Sequence, residues 1–208
     1  DADAIQAAEV IGAKTIIIAA ETNAGADLSK VVAEEIVIDY ATATAPTNIK
    51  LAKDANITFT KAQTAAVVVD GENATINAKE GFSTSLQVDK NSKIKVDTKD
   101  ITIASLIGAA GKTISFEGSK NVTITATATN ASNIDASALS GKLTISAVAT
   151  ADADIVGSTG VNTIDVSAST GDVSVVTNAA ADTVTIAGAA AAKDVAIDLG
   201  AGNDTLVL

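Results

Sequence analysis

Alternating apolar pairs recur about every twenty-one residues, and that spacing restricts the folds open to the chain. Ile101, Val122, Leu143 and Ile164 each open such a pair at steps of 21, with Val184 following after 20 and Leu206 after 22. Weaker pairs fall between them at Ile114, Ile134, Ile155, Val173 and Val195, so a strand is predicted about every ten residues. Each run alternates apolar and polar residues with period two, the mark of a strand with one buried face. Gly, Asn, Asp, Ser and Lys separate the runs and supply turn chemistry. One unit per twenty-one residues is the length of a coil in a β-solenoid. An internal echo agrees: "ITIASLIGAAGKTIS" (101–115) and "NIDASALSGKLTIS" (133–146) carry Ser, Leu, Gly and Lys in the same order. The fold expected is all-β, a right-handed parallel β-solenoid, with a β-sandwich as the alternative because sandwiches also space strands at 8–12 residues.

The composition favours the solenoid. Aromatic residues are 2% of the chain, with no Trp, three Phe and one Tyr. A globular core of this length normally buries several large rings. Here the core must come from Val, Ile, Leu, Ala and Thr, which suit thin coils with narrow inward rows. Three regions are expected: N-terminal coils or a cap over 1–40, a solenoid body over 41–148, and Asp-rich coils over 149–208. In the first region "DADAIQAAEVIGA" and "DLSKVVAEE" allow short helices. The 20-residue offset from Ile16 to Ile36 is read instead as two coils.

The chemistry open to the chain is narrow. There are 25 acidic residues against 14 basic ones, a net charge of −11, and no His or Cys. Every basic residue is Lys, so the bidentate phosphate ligand Arg is missing. The acidic balance argues against nucleic acid. Without His or Cys there is no common general base, thiol nucleophile or zinc ligand, and hard cations that prefer oxygen remain. No apolar run reaches the ~18 residues of a spanning helix, so no membrane insertion is expected. The N-terminus lacks the basic region of a signal peptide, and the chain is expected to be a segment of something longer.

Acids change kind along the chain. No Glu follows Glu117, and eight Asp occupy positions from 152 onward. Asp is short, favours turns and keeps its carboxylate near backbone carbonyls. The loops "STGVN" (158–162), "NAAAD" (178–182) and "GAGND" (200–204) lie about one coil apart, which places Asn162, Asp182 and Asp204 in one predicted column. "ADAD" (151–154), "STGD" (169–172) and "AAKD" (191–194) predict a second column of Asp154, Asp172 and Asp194. Calcium takes six to eight oxygens from carboxylates and carbonyls alike. Gly200, Gly202, Asn203, Asp204, Asp182, Asn162, Asp172 and Asp194 are therefore candidate Ca²⁺ ligands. The plainer alternative is that these residues only form turns and keep the surface soluble.

The stretch "GAGNDTLVL" (200–208) resembles the RTX nonapeptide repeat G-G-x-G-x-D-x-U-x, in which U is a large apolar residue. Gly200, Gly202, Asp204 and Leu206 match the second Gly, the third Gly, the Asp and U, while Leu199 stands where the first Gly belongs. The upstream loops are degenerate. The resemblance implies Ca²⁺ held between coils by turn carbonyls and Asp carboxylates. More broadly, richness in Ala, Thr, Val and Asp, with Lys but no Arg or Cys, resembles bacterial surface-layer proteins and large secreted adhesins. That resemblance implies a structural, non-enzymatic module at the bacterial cell surface, assembling with copies of itself, with a cell-surface glycan as a possible partner. It also implies type I secretion, with an export signal beyond Leu208. The stalk of an adhesin is the alternative, and a polysaccharide-active solenoid enzyme is a distant third. For that enzyme Asp152 and Asp154 offer paired acids, but no aromatic platform accompanies them. The N-x-[ST] sites at Asn56, Asn73, Asn121, Asn130 and Asn203 are frequent in any Asn- and Thr-rich chain, and Thr and Asn at strand ends are expected to form hydrogen-bonded ladders along the stack. "GAAGK" (108–112) lacks the spacing of a phosphate loop.

Overall fold

The computed structural model describes residues 9–19, 25–41, 47–128, 133–148, 152–186 and 194–208. Among them the chain forms strands and turns. The strands are β1 (Val10–Ile18), β2 (Ala26–Leu28), β3 (Val31–Ile38), β4 (Thr47–Leu51), β5 (Asn56–Phe59), β6 (Val67–Asp70) and β7 (Ala74–Ala78). They continue with β8 (Leu86–Val88), β9 (Ser92–Val96), β10 (Ile101–Gly108), β11 (Thr113–Gly118), β12 (Val122–Ala128), β13 (Asn133–Leu139) and β14 (Leu143–Ile145). The last are β15 (Ala153–Val156), β16 (Asn162–Asp165), β17 (Val173–Val176), β18 (Thr183–Thr185), β19 (Val195–Asp198) and β20 (Thr205–Val207).

Odd-numbered strands form one ten-stranded sheet and even-numbered strands another. Every strand pair is parallel and joins a strand to the one two places on, as in Ile101↔Val122 and Ile134↔Ile155. This is a β-solenoid of about nine turns with coils of about 20 residues, and the β-sandwich alternative is set aside. The helical alternatives near the N-terminus do not hold for the residues described. Val10–Ile18 and Val31–Ile38 are strands, with Ile16 paired to Ile36 as two successive coils require. Residues 1–8 of the first helical stretch lie outside the described residues.

Inward residues stack into columns. Ile36, Ile57, Ile76 and Ile94 form one in the odd sheet, each at most 1% exposed. Burying such a side chain contributes about 1.5–3 kcal/mol. The three phenylalanines sit in the body, all fully buried, and the rings of Phe59 and Phe82 meet edge to face at 5.4 Å.

One expected column is corrected. The structure pairs Ile101 with Val122 and Val122 with Leu143, but Leu143 then pairs with Asn162 rather than Ile164. Ile164 continues a neighbouring column: Ile103, Ile124, Ile145, Ile164, Val184 and Leu206. The coil from Leu143 to Asn162 advances 19 residues where its two predecessors advance 21. A shift of two residues preserves the inward face, because side chains alternate with period two. Counting apolar residues therefore found the face and missed the row. Leu206, in the last coil, is 40% exposed rather than buried.

Candidate metal centre

Because the apolar row Ile101, Val122, Leu143 runs into Asn162, the inner edge of the solenoid changes character there. Asn162 is fully buried. Its Oδ1 accepts hydrogen bonds from the Ser158 N–H (2.8 Å) and the Ser158 hydroxyl (3.0 Å). Its Nδ2 donates across the turn to Ser158 O and Gly160 O, and up the stack to Thr177 O (2.9 Å) and Asp182 Oδ1 (3.1 Å). The amide thus closes the turn 157–162 and ties it to the turn above. Buried polar groups need such partners, since an unmet one costs about 1–3 kcal/mol.

The predicted column of Asn162, Asp182 and Asp204 is present. Asp182 Oδ1 accepts the Asn162 N–H at 2.6 Å, and Asp204 Oδ1 accepts the Asp182 N–H at 2.9 Å. Each Asp reaches back one coil to cap the strand start below it. Asp182 is 1% exposed and its Oδ2 has no hydrogen-bond partner.

The glycines of the last turn have a steric reason. Gly200 and Gly202 have φ of 70° and 156°. A Cβ at Gly200 would stand 1.6 Å from Asn178 O, so only glycine lets the two turns approach. A Cβ at Gly202 would stand 1.8 Å from Ala180 O and 2.8 Å from Asp204 Oδ1. Both contacts are too short for a side chain, so the two turns meet here only because residue 202 is glycine. Asn203 is exposed at the tip. Among the described residues no three acidic side chains converge, so an ion in these turns would draw on carbonyl oxygens for much of its shell.

The second predicted column stands on the other connecting edge, where β16 leads into β17, and is corrected in one member. Asp152 Oδ1, not Asp154, accepts the Asp172 N–H (3.0 Å), and Asp172 Oδ1 accepts the Asp194 N–H (3.3 Å). Asp154 lies in β15 and pairs with Ser174. Asp172 and Asp194 are exposed and line an open cleft with Asp152 and Asp154. The structure therefore separates the eight candidate residues into two groups on opposite edges.

One feature escaped the sequence reading, the Ser158–Asn162 clasp, since a buried Ser looks like any turn Ser. The expected ladder of Asn at strand ends is present on the outside of the body. There Asp100 carboxylate oxygens accept the Asn121 N–H and Nδ2, both at 2.9 Å, and Asn121 Oδ1 accepts the Lys142 N–H at 2.8 Å. The Asn121 backbone bond, and then its side-chain bond, hold the Asp100 carboxyl below the usual carboxylate value. The signal available was an Asp or Asn directly before successive strands.

Fold and site together define a two-sheet parallel β-solenoid whose last coils carry inward carboxylates. No family model matches the chain, and neither the curated proteins nor the solved structures gave a match.

Proposed function

We propose that the chain is a structural module of a secreted bacterial surface-layer protein, stabilised by Ca²⁺ at its C-terminal coils and assembling with copies of itself on the cell surface. The observation that carries the proposal is the unbroken stack: both sheets run through ten parallel strands each. Such a stack is a stiff rod, because the strands of each coil hydrogen-bond to those of its neighbours. Lateral contacts then depend on the outer faces. Ile11, Ile17 and Val32 stand 72%, 62% and 57% exposed on the first two strands of the odd sheet, apolar surface of the kind that contacts between copies cover. The role is mechanical, and the inward carboxylates serve the stack rather than a reaction.

Negative-stain imaging of the full-length protein with and without Ca²⁺ tests the reading. Ordered two-dimensional arrays that form with Ca²⁺ and disperse in chelator are the expected result. Monomers under all conditions that bind a glycan surface would favour the adhesin alternative and overturn it.

A further inference from the structure

Two shallow clefts, of about 270 and 260 Å³, lie side by side on the outer face of the odd-numbered sheet in the body. They share strands: Asn77 and Lys95 line the first, Thr75 and Lys93 the second. Thr75 pairs with Lys93 and Asn77 with Lys95, so the two floors stand about 7 Å apart along β7 and β9. No lining side chain is aromatic, and the only apolar one is Ala78. Part of the polar lining is already tied down. Asn77 Nδ2 donates to Thr58 Oγ1 (3.2 Å), and that hydroxyl donates to Glu35 Oε1 (2.6 Å). Another part is not: the Thr75, Thr113 and Ser115 hydroxyls and the Lys79 ammonium make no hydrogen bond or ion pair to another described residue. Lys93 and Lys95 meet one carboxylate each, Glu117 at 3.0 Å and Asp97 at 3.2 Å. Such solvent-exposed pairs hold weakly, and an ammonium has three donors to give. The clefts carry three lysines against two acids, in a chain where 14 basic residues face 25 acidic ones.

We propose that this face binds a carboxylate-bearing glycan, a chain of the uronate class lying along β7 and β9. The lining selects the ligand by its chemistry. An apolar ring system would find nothing to pack on. A phosphate group would find no arginine fork. Sugar hydroxyls match Thr75, Thr113 and Ser115, whose hydroxyls both donate and accept. Carboxylates match Lys79, Lys93 and Lys95 through charge-assisted hydrogen bonds. Because the two floors stand about 7 Å apart, a ligand that fills both is a chain rather than a single sugar. The bonds among Glu35, Thr58 and Asn77 set part of the floor before a ligand arrives, which lowers the cost of ordering it. The site lies in the body, apart from the Asp-rich coils, and needs neither Ca²⁺ nor self-assembly. It therefore goes beyond the function proposed above, and either can fail while the other stands.

Titration calorimetry of the full 208-residue chain with polygalacturonate tests the proposal. Chelator is present throughout, so that no Ca²⁺ bridges the carboxylates of chain and polymer. The net charge of −11 repels a polyanion, so binding requires a local site. Four proteins are compared: the unaltered chain, Lys93→Gln/Lys95→Gln, Thr75→Val, and the control Lys30→Gln/Lys142→Gln, which makes the same charge change at exposed turns outside the clefts. The unaltered chain and the control are expected to bind alike. Lys93→Gln/Lys95→Gln should lose roughly tenfold or more in affinity, the worth of a hydrogen bond to a charged group, and Thr75→Val a smaller, measurable part. Neutral dextran should not bind. No binding of polygalacturonate by the unaltered chain overturns the proposal, as does an equal loss in the control or unchanged affinity in both cleft variants. Equal binding of neutral dextran or of sulfated dextran also overturns it, since the carboxylate would then not be what the site reads.

Discussion

The coils from Ile101 to Ile145 and those from Asn162 to Leu206 share a backbone plan but stabilise it differently. In the first set the inward row at the turn is Ile101, Val122 and Leu143, each at most 3% exposed, and the polar ladder of Asp100 and Asn121 stands outside in water. In the second set the same inward row is Asn162, Asp182 and Asp204, and the ladder has moved indoors. Even the direction of capping reverses. Asp100 accepts from the coil that follows it, whereas Asp182 and Asp204 accept from the coil before. An apolar row stabilises by burial alone, under any ionic condition. An acidic row stabilises only when its charge is met. On the proposed function, the same period of strands supports one region indifferent to cations and one that depends on them.

The largest expected effect breaks the apolar row that both regions share. Ile164 is 1% exposed between Ile145 and Val184. Ile164→Asp should cost several kcal/mol, because it buries an unpaired charge, while Ile164→Val should cost only about 1 kcal/mol. Equal melting temperatures for the two variants would mean that Ile164 does not face inward. Next comes Phe116→Ala in the body. Its ring is fully buried, and the loss should be about 3–5 kcal/mol whether or not Ca²⁺ is present. A cost that changes with Ca²⁺ would join the two regions that the comparison separates.

Saturating Ca²⁺ should raise apparent stability of the C-terminal coils by about 2.7 kcal/mol at a hundredfold excess over Kd, and Mg²⁺ should substitute poorly because it demands a tighter octahedral shell. Thermal melting in each ion checks this. The smallest effect concerns the outer ladder. The Asp100 carboxyl is held below its usual value by Asn121, so its contribution is complete above the ordinary carboxylate range and disappears as pH falls through the lowered folded value. Asp100→Ala should therefore lower the melting temperature slightly at neutral pH and not at all in strong acid. A difference that grows on acidification would give the shift the wrong sign.

Much of the fold was legible because it is written in period two and in the coil length, and both survive without knowledge of the row. Ile101, Val122 and Leu143 were placed together by counting, and the structure stacks them. Ile164 was placed with them and belongs to the next row, because a coil two residues shorter leaves the pattern of faces unchanged. The column of Asn162, Asp182 and Asp204 was legible for a related reason: an Asp or Asn before each strand marks a cap wherever it occurs. Its direction follows from the same alternation: Asp182 lies two residues before the inward Val184 and so faces inward, whereas Asp100 lies directly before the inward Ile101 and so faces water. The exchange of Asp154 for Asp152 was not legible, since both lie in "ADAD" and only the register of β15 against β17 distinguishes them.

Amide hydrogen exchange on the native chain, with Ca²⁺ and with chelator, addresses the contrast between the two regions most directly. Exchange reports local opening strand by strand. Strands β15 to β20 should be protected in Ca²⁺ and lose much of that protection in chelator, while β5 to β12 stay protected in both. Protection that is the same in both conditions along the whole stack would contradict a cation-dependent C-terminal region.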